Sequence, residues 1–178
     1  MFDFVVALPG AAVSLQDEWL PFASRLVKEM NCVCVLINLD SIPRPWVPKE
    51  ILNMLSIQVL HNTLHAEKAI ILGKSYGGYL AHEFALQYAP QVINLVLFAP
   101  NSPAAGDNIQ RLCEHKPPIP LFLGWTKNDP SFTHRSKFLH HCKNDAMFEY
   151  HSEYYGEHTI TEDYHTPIID FLKSHMGK

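Results

Sequence analysis

The sequence predicts an α/β fold, a three-layer α/β/α arrangement around a mostly parallel sheet of about six strands, with residues 1–178 forming a single domain. Three observations carry this. Short apolar runs of β character alternate with segments of helical periodicity along the whole chain. At its centre, Ala69 to Leu72 passes through Gly73 to Ser75 and straight into a helical pattern, which is strand, sharp turn, helix. Finally, 178 residues that are 47% hydrophobic supply the apolar surface for one sizeable core, and no internal repeat or low-complexity segment points elsewhere.

Taken in order, Phe2 to Leu8 is almost continuously apolar, as a strand buried on both faces must be, and it ends at Pro9-Gly10-Ala11-Ala12. From Asp17 to Met30, Trp19, Leu20, Ala23, Leu26, Val27 and Met30 recur at helical spacing, with Asp17 and Glu18 at the positive helix start. Cys32 to Ile37 predicts a second buried strand. Pro43, Pro45 and Pro48 then make a stiff loop, because proline's locked φ and missing N–H exclude regular helix or central strand. Lys49 to His65, carrying Ile51, Leu52, Leu55, Val59 and Leu60, predicts a second helix that returns the chain to the central strand Ala69 to Leu72. The helix after Ser75 runs to about Tyr88 and stops before Pro90, and Val92 to Phe98 is the next strand. Pro100 to Pro118 reads as an irregular connection with one short helix near Ile109 to Cys113. Ile119 to Trp125 is a fifth strand, leading into Thr126-Lys127-Asn128-Asp129-Pro130. Ser131 to Cys142 reads as helix, Ala146 to His151 as the last strand and Tyr154 to Asp163 as a loop. Tyr164 to Met176 closes the chain as a helix with Pro167 in its first turn.

Composition narrows the function. Net charge is -4 with a pI near 6.2, and lysine and arginine are scattered, so neither nucleic acid nor a membrane surface is an expected partner. No apolar run approaches the roughly 20 residues of a membrane span, and a cytoplasmic protein is expected. Among the four cysteines, Cys32 and Cys34 lie two apart in a strand pattern and none forms a C-x-x-C pair, so reduced, mostly buried thiols are expected. His61 and His65 are spaced for one helix face, but His-Asn-Thr-Leu-His lacks the glutamate of a metallopeptidase helix, and no metal is expected. Reading Gly73-Lys74-Ser75 as the end of a phosphate-binding loop needs a glycine at position 68, where Lys68 stands.

Gly73-Lys74-Ser75-Tyr76-Gly77 matches the nucleophile elbow, in which small residues let strand and helix pack closely while a strained serine projects from the end of a sheet. On this segment the chain resembles the α/β-hydrolase superfamily, and it looks like a minimal member lacking the first hairpin strands and the cap domain. The resemblance implies a chain order of nucleophile, acid and histidine, which Ser75, Asp129 and His158 satisfy at the ends of predicted strands. Gly124-Trp125-Thr126-Lys127-Asn128-Asp129-Pro130 is similar to the family's acid turn, and Gly156-Glu157-His158 to the loop before its last helix. Asp107, after the fourth strand, is the alternative acid, and His151 and His165 are the less suitable histidines. The resemblance also implies an oxyanion hole built from the backbone N–H groups of Tyr76 and Ala11, although Pro9 stands where the family commonly has histidine. Lys74 reads as a solvent-facing residue of the elbow. Trp46, Tyr76, Trp125 and Phe132 are candidates for the walls of an acyl pocket, with burial in the core as the alternative.

These readings together point to a serine hydrolase that cleaves a small carboxylic ester or thioester through an acyl-enzyme, acts on a small-molecule acyl substrate and needs no cofactor. Two alternatives stand beside it. One is a non-catalytic interaction module with Pro43 to Pro48 as a docking peptide; the other is an acyltransferase, which no residue separates from a hydrolase.

Overall fold

The computed structural model describes residues 4–10, 15–42, 47–100, 111–112, 114, 118–130, 148–152 and 154–176. The first apolar run forms β1 (Phe4–Leu8), buried from its second residue onward. A wide π-type turn, Leu15–Trp19, leads into α1 (Leu20–Met30). That helix ends at Asn31, whose N–H still donates to the Val27 carbonyl while its left-handed φ of 51° turns the following chain out of the helix. After β2 (Val33–Leu36), α2 (Pro48–Asn53) opens with a proline, which costs nothing where the N–H would be unpaired, and continues in wider turns through Met54–Thr63. Then come β3 (Ala69–Lys74), α3 (Tyr76–Gln87), β4 (Val92–Phe98), β5 (Leu121–Gly124), β6 (Phe148–His151) and α4 (Glu162–His175).

All six strands of the sheet are parallel, in the order β2-β1-β3-β4-β5-β6. The handedness of crossovers explains the layers. From β1 the chain moves outward to β2, then passes back over β1 to β3 and continues in the opposite direction. Right-handed connections running in opposite directions put their helices on opposite faces. Accordingly α1 packs against α4, which lies on β4 and β5, whereas α3 packs against α2 and covers β1, β3 and β4. The neighbours β1 and β3 are therefore the strands whose outgoing connections diverge, and a crevice opens at their carboxyl ends. Leu8 pairs with Gly73 at that edge.

Several expectations need correction. The second strand is not buried: β2 is the outermost strand, with β1 as its neighbour, so Val33 is 40% exposed and Cys34 to Leu36 are half-buried. Even so, burial, with Cys32 beside it, pushes the Cys34 thiol up to about 12, far from the range of a reactive thiolate. Cys113 and Cys142 lie outside the described residues. His65 does not continue the helix of His61; it lies beyond Thr63 with φ 51°, so the two do not share a helix face. The last helix begins at Glu162, which moves Pro167 from the first turn into the interior and removes a hydrogen bond to the Asp163 carbonyl. The helix expected over Ser131 to Cys142 and most of the short one near Ile109 to Cys113 fall outside the described residues, as do the start of the last strand and Pro43 to Trp46. Among the described residues, no helix is long and apolar enough to cross a membrane.

Candidate active site

Ser75 occupies the corner between β3 and α3 with φ 54° and ψ -121°. A side-chain-bearing residue in that region costs on the order of 1–3 kcal/mol and persists only where its surroundings impose it. Here they do: the Ser75 N–H donates to the Phe98 carbonyl at 3.0 Å, and its own carbonyl accepts from the Tyr79 N–H at 3.1 Å. The flanking glycines explain how the helix can start so close to the sheet. A methyl group on Gly77 would stand 1.9 Å from the Leu8 carbonyl oxygen, and one on Gly73 2.4 Å from that of Gly77. Both collisions are with backbone, so no rotamer change relieves them.

Asp129 follows β5 and His158 follows β6, and the two side chains meet: His158 Nδ1 lies 2.7 Å from Asp129 Oδ2. The carboxylate is fully buried, whereas the imidazole keeps 34% of its surface. An ionised carboxylate accepts only, so Nδ1 carries the proton and the basic lone pair is on Nε2, the nitrogen left facing outward from the pair. Two loops hold this contact. Lys127 N–H donates to the Tyr154 carbonyl at 2.9 Å, and the buried Thr126 hydroxyl donates to the Glu157 carbonyl at 2.6 Å. Gly156 permits the approach, since a methyl group there would lie 2.8 Å from Thr161 Cγ2 and 3.1 Å from Thr126 Cγ2. From behind, the Tyr164 hydroxyl donates to the Trp125 carbonyl and, at 3.3 Å, to that of His151.

The six parallel strands bring Ser75, Asp129 and His158 to the same carboxyl edge of the sheet. Asp129 and His158 are in direct contact, while among the described residues the Ser75 side chain makes no hydrogen bond to His158. Tyr76 opens α3, where first-turn N–H groups lie beyond the reach of helix carbonyls. Its ring lies 5.7 Å from that of Tyr79; burial raises both phenol pKa values, with Glu83 and Tyr76 adding to the effect on Tyr79. Ala11, Trp46, Asp107 and Phe132 lie outside the described residues. Trp125 belongs to the core, with no exposed surface. The other two histidines have different surroundings. His151 lies 2.5 Å from Glu149 and stacks on Phe122, and His165 is buried 4.8 Å from Phe22, where burial chiefly lowers its pKa.

Lys74 overturns its expected exposure. Its side chain is 2% exposed and its ammonium lies 2.7 Å from both carboxylate oxygens of Glu18. Glu18 in turn is no mere complement to a helix dipole: its Oε1 also accepts from the Ile160 N–H at 2.7 Å. Nothing local in the sequence signals this pairing, whose partners are 56 positions apart.

At the level of sequence, no family model and no curated protein matches the chain. Solved structures do match it. A predicted CIB-like hydrolase from Thermoplasma acidophilum superposes with a TM-score of 0.76 at 15% identity, covering 97% of this chain and 86% of that one. The chain has the α/β-hydrolase fold. Est1E from Butyrivibrio proteoclasticus shares it with a TM-score of 0.77 at 11% identity, over 99% of this chain and 89% of its own. SOBER1 of Arabidopsis thaliana does so with a TM-score of 0.69 at 13% identity, over 97% and 99%. In this fold the β1/β3 divergence and the strained corner at Ser75 lie side by side, because Gly77 seats α3 on the end of β1.

Proposed function

We propose that the chain is a serine hydrolase that cleaves small carboxylic esters or thioesters, with Ser75 as nucleophile, His158 as general base and Asp129 as the group that orients it. The observation that carries this reading is the Asp129–His158 hydrogen bond, made at the sheet edge where Ser75 sits in its strained turn. With Nδ1–H given to Asp129, Nε2 of His158 takes the Ser75 proton as Oγ attacks the acyl carbon, and then returns it to the departing alcohol or thiol. Water repeats the cycle on the acyl-enzyme: His158 takes its proton, the hydroxide attacks the acyl carbon, and the proton passes to Ser75 Oγ as the acid leaves. The N–H groups of Tyr76 and Ala11 are the proposed donors to the oxyanion. The names of similar structures support a hydrolase in general, since several are hydrolases by description. The sequence between residues 100 and 118 is too short for a cap domain, which favours short, soluble acyl groups over long chains.

The test is covalent labelling with a fluorophosphonate probe. Wild-type protein should be labelled at Ser75, and Ser75→Ala should fold normally and lose the label. A panel of esters and thioesters of increasing acyl length should then favour the short ones. Full labelling of the alanine variant overturns the nucleophile assignment, and a strong preference for long chains overturns the substrate class.

A further inference from the structure

We infer that Glu18 is a positioning residue that sets the nucleophile and the base at their working separation, an inference that rests on the serine-hydrolase reading above. One carboxylate spans the two halves of the site. Its Oε1 accepts from the Ile160 N–H and from Lys74 Nζ, each at 2.7 Å, and Oε2 accepts from the same ammonium at 2.7 Å. Lys74 is the last residue of β3 and precedes Ser75 directly; Ile160 lies two residues past His158. Between them the chain is tight, with the Thr159 N–H donating to the Glu157 carbonyl at 2.7 Å and the Ile160 side chain buried. Glu18 itself comes from the turn that leads into α1, so three separate parts of the chain meet at its carboxylate.

Burial makes the arrangement more than a surface tie. The Glu18 side chain is 9% exposed and that of Lys74 2%, and desolvating two such charges consumes much of what their attraction returns. Apolar residues of the same volume would give comparable stability there. What they could not give is an acceptor aimed at the Ile160 N–H, which holds the backbone of the His158 loop at a fixed distance from the backbone of Ser75. Asp129 fixes the imidazole within its loop; Glu18 fixes the loop against the nucleophile strand. A misplacement of about 1 Å between reacting groups lowers a rate by about 10²-fold, which is the size of effect expected when the tie is lost.

The experiment compares two variants. Glu18→Gln keeps one oxygen that can accept from both the Ile160 N–H and Lys74 Nζ, so the tie between loop and strand stays; Lys74→Met with Glu18→Met, free of buried charge, removes both bonds. At a temperature where thermal melts show both folded, the glutamine variant should be labelled at Ser75 within about threefold of wild type. The methionine variant should be labelled about 100-fold more slowly, with kcat for a small ester falling and KM unchanged. In hydrogen exchange the Ile160 amide should lose protection in the methionine variant alone. Equal labelling rates in the two, or equal Ile160 protection, overturn the inference. If the methionine variant does not fold, Glu18→Asp, which keeps the charge but shortens its reach by one methylene, should be labelled about tenfold more slowly than wild type, and labelling at the wild-type rate overturns it. A wild-type protein that is not labelled at Ser75 strikes the serine-hydrolase reading and this inference's catalytic consequence together. The exchange comparison is read in the absence of any substrate, so it separates the failure of the Ile160 anchor from that of the chemistry.

Discussion

Replacing Asp129 with asparagine is the most informative single change, because it alters the charge of the site and almost nothing else. Asp129 is fully buried and Oδ2 lies 2.7 Å from His158 Nδ1, so an amide oxygen can occupy the same place and accept the same proton. What disappears is the negative charge that, in the proposed mechanism, steadies the imidazolium formed when His158 takes the Ser75 proton. With the two charge centres about 4 Å apart and an effective dielectric constant of about 20, that attraction is about 4 kcal/mol. Each 1.36 kcal/mol is a factor of about ten, so turnover should fall by about 10³-fold. The asparagine can also turn its amide nitrogen toward Nδ1 and select the wrong tautomer, which would deepen the loss. The assay is the second-order rate of fluorophosphonate labelling beside hydrolysis of a small nitrophenyl ester, with a thermal melt to show that the fold is retained. A folded Asp129→Asn variant within about tenfold of wild type would refute the reasoning. Asp107→Asn is the companion control, and it should leave the rate almost unchanged; if it gives the larger fall, the acid is Asp107.

Two further outcomes concern the frame around the site. Gly77→Ala drives a methyl group to 1.9 Å from the Leu8 carbonyl oxygen, so α3 must move off β1; the cost should exceed about 3 kcal/mol and lower Tm by at least about 6 °C. A Tm within about 2 °C of wild type would show that the elbow tolerates the shift. His165 should make the fold sensitive to mild acid: burial, then Arg25, lower its pKa from 6.5 against a smaller opposing effect of Glu162. In the unfolded chain the residue protonates near pH 6.5 while the folded one resists, so stability is complete above that pH and declines as pH falls toward the depressed folded value. His165→Leu should therefore narrow the difference in Tm between pH 7.5 and pH 5.5, and an unchanged difference would contradict the argument.

Some of this molecule was legible in one dimension because its causes are local. Gly73, Ser75 and Gly77 announce a strand-to-helix corner because an abrupt strand-to-helix turn has a local pattern of small residues; the collisions at Gly73 arise within eight positions, whereas those at Gly77 come from Leu8 and Pro9 at the end of β1, and the structure finds Ser75 at φ 54° there. Val92 to Phe98 was recognisable as a strand because burial on both faces leaves a run that is apolar but for Asn94, and it is one, residue for residue. Asp129 and His158 were legible as strand-end polar residues, but only the pairing of β5 with β6 and the glycine at 156 bring them to 2.7 Å.

Tertiary structure decided the rest. Cys32 to Ile37 is as apolar as the central strands, yet strand order, which no residue in that run encodes, leaves Val33 to Leu36 at the edge of the sheet. Trp125 stood between pocket wall and core until packing buried it completely. Lys74 is the sharpest case. A lysine beside a turn serine reads as exposed because a lone ammonium is too costly to desolvate, and the reading fails here because a carboxylate 56 residues away arrives to meet it. Local sequence carries the cost of burying a charge, whereas the compensating partner exists only once the chain has folded, and that is why Glu18, Lys74 and Ile160 became a unit in three dimensions and not before.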